Sequence, residues 1–148
     1  MRYLRKYNEE FTGMTDPNLI KLVDDLKKLA DDCLAYLYDD GFSVSVGRKS
    51  YGPTKGYLPE FSILKKKGEV DEYNTINVER FTWDEIKDDF IPFLELCKDK
   101  YLFINEVIFN AFGPHKVPVD HLINDNLSIK MTDFGKRLVS ISFFIENK

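Results

Sequence analysis

Hydrophobic positions along the chain change period several times, and each change marks an element. From Leu19 to Leu37 they recur at helical spacing: Leu19, Leu22, Val23, Leu26, Leu29, Ala30, Cys33, Leu34 and Leu37. Asp16 before Pro17 supplies an N-cap and a first-turn proline, and Gly41 stands where a helix can leave through a left-handed turn. The face opposite the apolar stripe carries Asp24, Asp25, Lys28, Asp31 and Asp32, so it belongs in water. Directly after Gly41 the period becomes two. Phe42, Val44 and Val46 alternate with Ser43 and Ser45, which predicts a half-buried strand.

The stretch GRKSYGPTKGYLP over 47–59 is rich in glycine and proline, and FSILKKK then resumes an extended pattern. A hairpin with a long loop follows from this. Residues 68–80 are polar with a β-branched centre, which suits a short strand or an irregular connection.

FTWDEIKDDFIPFLELC, over 81–97, announces its own start. Thr82 followed by Glu85 forms a capping box, and Phe81 before the cap with Ile86 after it forms a hydrophobic staple. Asp84 and Glu85 complement the positive end of the helix dipole. Pro92 removes one helical bond and crowds the carbonyl of Asp88, so a kink is expected there. Beyond this helix the chain reads as strands. YLFINEVIFNAF is the first, a turn or short helix covers GPHKVPVDHLIND, and LSIKM and RLVSISFFIE follow, joined by TDFGK.

The sequence therefore predicts an α+β fold, with two main helices packed on a mainly antiparallel sheet. Helix followed by two extended segments occurs twice, about 16–67 and 82–147, which suggests an αββ-αββ arrangement. At 148 residues the chain is expected to form a single domain, with residues 1–14 as a possible N-terminal arm.

Composition narrows the function classes. The chain is 43% hydrophobic and 31% charged, too apolar for a disordered chain and too interrupted by charge for a membrane span. No leader or anchor pattern follows the opening MRYLRKYNEE. A net charge of −4 lacks the overall basic character that draws nucleic acid to a protein. Cys33 and Cys97 fall on apolar helix faces, as reduced, buried thiols would. The cytoplasm is the expected compartment.

Candidate chemistry is sparse. His115 and His121 are six residues apart without a converging ligand set. No G-x-S-x-G, Walker A or dinucleotide fingerprint is present. The acidic pairs at Asp24 and Asp25, Asp31 and Asp32, Asp39 and Asp40, and Asp88 and Asp89 point to different sides of a helix by about 100° per residue. The reading is of a non-enzymatic protein that needs no cofactor and no metal.

The candidate partner-binding residues are Arg48, Lys49, Tyr51, Lys55 and Tyr57, with Lys65, Lys66 and Lys67 further on. Basic side chains interleaved with tyrosines can follow a phosphate backbone and stack bases, which makes nucleic-acid binding through 48–67 the alternative function. The competing account is a hairpin edge on which lysines discourage strand-to-strand aggregation. An acidic helix face could instead meet a basic protein partner. In overall style, and in FTWDEIKDDFIPFLELC following a strand-like block, the segment around 33–97 resembles small uncharacterised proteins of tailed bacteriophages. That resemblance implies a virion or assembly component, or a modulator of a host factor, acting through protein–protein contact with itself or a host protein.

Overall fold

The computed structural model describes residues 16–68, 78–125 and 137–148. The N-terminal arm and the extended segment LSIKM expected from the sequence lie outside the described residues.

Helix α1, Pro17–Cys33, begins as the sequence requires: the Asn18 N–H donates to Asp16 Oδ1 at 2.9 Å, with proline in the first turn. It buries Leu19, Leu22, Leu26 and Ala30. The helical pattern continues past Cys33 but the helix does not. Leu34, at φ −111° and ψ 14°, ends α1, and a short second helix, α2 at Ala35–Asp39, follows. The break keeps Leu34 and Leu37 in the core. Gly41 then turns the chain with φ +92°.

Strands β1, Phe42–Ser50, and β2, Tyr57–Lys66, pair antiparallel in unbroken register from Phe42 opposite Lys65 to Ser50 opposite Tyr57. The connection is shorter than the glycines and prolines suggest, because Gly47 and Pro59 are both part of the ladder. A two-residue strand, β3 at Val78–Glu79, adds to the end of β2.

Helix α3, Trp83–Lys100, opens with the predicted capping box: the Glu85 N–H donates to Thr82 Oγ1 at 3.3 Å, and the Thr82 N–H donates to Glu85 Oε2 at 2.7 Å. The helix runs without interruption through Pro92. Pro92 is exposed, so the carbonyl it deprives of a partner is on the wet side, where water can serve it. Trp83 is buried, its ring tilted on Phe109 at 5.5 Å.

Strand β4, Tyr101–Asn110, follows α3 directly, then β5, Pro114–Val117, the short helix α4, Val119–Ile123, and finally β6, Ser140–Asn147. The segment expected as a turn or short helix thus contributes an edge strand first. Its short apolar content, Val117 alone buried, gave no period to detect.

The sheet is antiparallel throughout, in the order β1-β2-β6-β4-β5 with β3 beside β2. The units α1-β1-β2 and α3-β4-β5 each yield an adjacent hairpin, and β6 joins them by pairing with both β2 and β4. Phe61, Ile63, Phe109, Ile141, Phe143 and Ile145 meet the buried residues of α1, α3 and α4 in one hydrophobic cluster. Stacked and tilted rings at its centre, Phe61 on Phe143 at 4.8 Å and on Phe93 at 5.0 Å, tie helix to sheet. All the helices contribute to this cluster, so among the described residues the opposite face of the sheet carries no helix.

Candidate protein-interaction surface

Alternation along each strand decides what that second face displays. Cross-strand pairing arranges it in rows. One runs Ser45, Ser62, Ser142, Ile108 and Lys116; the next runs Ser43, Leu64, Ser140, Asn110 and Pro114; a third holds Gly47, Glu60, Phe144 and Ile104. Serines occupy the middle of the sheet, with apolar side chains around them. Leu64, Ile104, Ile108 and Phe144 are all half-buried, and Leu102, beside Glu146 in the ladder, is 45% exposed. The Asn110 amide donates to Ser140 Oγ at 3.0 Å, a side-chain link across the two strands.

The hairpin singled out by sequence closes one end of this face. Arg48 and Lys49 are exposed on β1, Tyr57 begins β2, and Tyr51 and Lys55 lie in the turn between them. The turn is fastened to β6: Tyr51 meets the ring of Phe144 edge-on at 4.8 Å, and the Lys55 ammonium pairs with Glu146 at 3.1 Å. Lys49 pairs with Glu60 at 3.3 Å, and Lys65 pairs with Glu85 at 3.0 Å beneath the ring of Phe42. The structure therefore does bring the tyrosine and lysines of the hairpin together, and it gives three of its lysines carboxylate partners.

Lys65 is drawn away from the hairpin tip altogether. Its ammonium is held protonated above its usual range, chiefly by the Glu85 hydrogen bond, against the opposing effect of burial. Glu85 is pushed up by burial, but the Thr82 N–H and the Lys65 ammonium outweigh that and lower its pKa overall. This pair locks β2 to the start of α3.

A separate cleft of about 380 Å³ lies where the first half of β4 meets the start of α4, lined by Leu102, Phe103, Asn105, Glu106, Pro118 and Val119, among others. Its cause is local. Strand β5 pairs only with Val107–Asn110, and the β4–β6 register slips between Ile104 and Ile108, with Asn105 at φ 60°. Asparagine is among the few non-glycine residues that enter the left-handed region with little strain, and a single asparagine within an apolar run did not mark the bulge in the sequence.

The remaining candidates stay apart. His115 is half-buried on β5 and His121 is exposed on α4. Among the described residues no three His, Cys, Asp or Glu side chains are grouped as metal ligands would be. Cys97 is buried and Cys33 half-buried, both free thiols. Burial raises the pKa of each, with the Asp32 charge adding to the rise at Cys33 and the neighbouring Cys33 adding to it at Cys97, so neither is primed as a thiolate nucleophile. Asp24, Asp25, Asp31, Asp32, Asp39 and Asp40 are all exposed. No helix among the described residues is long and apolar enough to cross a membrane.

No family model, curated protein or solved structure matches the chain.

Proposed function

We propose that this protein is a non-enzymatic binding domain that engages another protein chain through the helix-free face of its sheet. One observation carries the reading. A broad antiparallel sheet has all its described helices on one side, and its other side mixes small hydroxyl side chains with Leu64, Ile104, Ile108, Phe144 and the exposed Leu102. A flat surface of that composition stays wetted when alone, yet buries apolar area when a complementary surface covers it. The resemblance to tailed-bacteriophage proteins extends the reading to a virion or assembly component, or to a modulator of a host factor.

Nucleic-acid binding through 48–67 has less support. Lys49, Lys55 and Lys65 face Glu60, Glu146 and Glu85, so a phosphate backbone would have to displace carboxylates to reach them.

The test places a bulky charge in the centre of the face. Ser62→Arg and Ser142→Arg variants, shown to be folded by circular dichroism, are compared with the parent in affinity capture and then in titration calorimetry with the purified captured protein. The expected result is a partner whose affinity falls at least about tenfold in both variants, the effect of one desolvated charge on an apolar contact. A partner bound equally by all three proteins, or an affinity for oligonucleotides alone that is lost on replacing Arg48, Lys49 and Lys55, would overturn the reading.

A further inference from the structure

Strand β1 is an edge of the sheet, and its bonds to β2 fix which of its backbone groups point away from β2. The Lys66 N–H donates to the Gly41 carbonyl at 2.9 Å, and the Tyr51 N–H donates to the Gly56 carbonyl at 2.8 Å. The odd-numbered positions from 41 to 51 therefore turn toward β2. Antiparallel alternation turns the backbone groups of Phe42, Val44, Val46, Arg48 and Ser50 outward. Pro59, which lacks an N–H, stands opposite Arg48, one of the outward positions, where β2 owes no bond to β1.

Among the described residues no strand pairs with that outer side. Among the described residues the edge carries few of the usual defences: it is nine residues long, contains no proline, keeps unbroken register, and has charge only at its last third, at Arg48 and Lys49.

We propose that β1 pairs antiparallel with β1 of a second copy about a two-fold axis at Ser45, which continues the sheet from one copy into the other. This goes beyond the protein-binding reading above, since the contact runs through the edge of the sheet and leaves its open face uncovered. Three features of β1 fit the arrangement. A two-fold at Ser45 sets Val44 against the second copy's Val46 and Phe42 against its Arg48, so outward-facing backbone groups meet outward-facing groups. Faces match as well: valine meets valine on the helix-covered side, and Ser43 meets Gly47 on the open side, where neither side chain obstructs.

The ends match in charge. Asp39 and Asp40 are exposed just before the strand, and Arg48 and Lys49 are exposed near its end. Antiparallel pairing brings the basic end of one copy alongside the acidic start of the other, twice per dimer. Lys49 already shares Glu60, and the added carboxylates join that pair rather than replace it.

Light scattering and sedimentation equilibrium on the full chain at low salt test this. The parent is expected to dimerise, with a dissociation constant that rises with salt. Arg48→Glu with Lys49→Glu should weaken the dimer by about tenfold or more, and adding Asp39→Lys with Asp40→Lys should restore it, since the two ends then attract again with signs exchanged. Val46→Pro, which removes one outward N–H and keeps the bonds to β2, should abolish it. A monomer at every attainable concentration overturns the proposal, as does a dimer indifferent to the charge reversals. A monomer that still binds a foreign protein through the Ser62 face would leave the proposed function standing, whereas a dimer lost in Ser62→Arg and kept in Val46→Pro would move self-association to the open face.

Discussion

Replacing Glu85 by Gln removes the charge from the joint between β2 and α3. The amide keeps an oxygen for the Thr82 N–H, now held at 2.7 Å, while an NH2 group replaces the oxygen that accepts from the Lys65 ammonium and the negative charge is lost. Two contributions go with it: the attraction to the Lys65 ammonium at 3.0 Å, and the favourable position in the first turn of α3. A partly exposed ion pair contributes about 0.2–1 kcal/mol, and a carboxylate at a helix start about 0.3–1 kcal/mol. The Glu85 side chain is 39% exposed, so solvent screening places the sum near 1 kcal/mol rather than at the upper end. For a chain of this length that is a melting temperature about 2–4 °C lower.

The pH dependence gives the sharper test. The folded-state pKa of Glu85 lies below its ordinary value of 4.5. Its stabilising effect is therefore complete above 4.5 and disappears as pH falls through the lowered folded value. The gap between parent and Glu85→Gln should be constant near neutrality and close in acid. Lys65 has the opposite sign: raised above 10.5, it gives up its share only as pH climbs through that higher value. Thermal melts of both proteins at pH 7 and at about pH 3 decide the matter. An equal gap at both would show that the carboxylate charge contributes nothing, and would refute the electrostatic account of the joint.

Gly41 sits at φ +92° with the nearest foreign atom, the Lys66 carbonyl oxygen, 3.6 Å from where a Cβ would stand. Gly41→Ala thus fits sterically but strains the backbone, and should cost about 1–2 kcal/mol in urea denaturation; unchanged stability would contradict the left-handed turn. Pro92→Ala restores a bond to the Asp88 carbonyl on an exposed face and should raise stability by about 1 kcal/mol or more, and a loss in a calorimetric scan would show that the ring itself is needed. Native-state reaction with a chromogenic disulfide reagent should titrate Cys33 alone, with Cys97 appearing only in denaturant, since Cys97 is fully buried. Equal rates for the two thiols would show that α1 and α3 separate readily.

Elements with strong period and explicit end signals were legible from sequence. The capping box at Thr82 and Glu85, the Asp16-Pro17 start, and the alternation of Ile141, Phe143 and Ile145 all appear where the pattern put them. The failures have a common cause: they depend on partners remote in sequence. Gly47 and Pro59 punctuate a loop by local rules, yet the ladder absorbs both, because glycine on an edge strand meets nothing and proline faces a position that needs no bond. Val139 is in phase with Ile141 in sequence, but Leu138 is the residue buried, since its backbone bridges to Phe81 before the strand proper begins. The carboxylate partners of Lys49 and Lys55 were likewise invisible: Glu146 is ninety-one residues from Lys55, and only the sheet order brings them together.

That sheet order also connects the edge to the face. With β6 inserted between β2 and β4, the serine rows lie at the centre of the sheet, and its two margins are unlike each other. At the β5 margin the ladder is short, flanked by α4, and next to the bulge in the β4–β6 pairing. At the β1 margin it is long and regular. Pairing through β1 would therefore leave the open faces of two copies side by side as one surface, doubled in width and related by the two-fold. A partner binding that surface would contact both copies, so its affinity would exceed that for either alone through effective concentration rather than new chemistry. The dependence runs both ways by linkage: such a partner must strengthen the β1 contact by the same factor by which dimerisation strengthens its own binding.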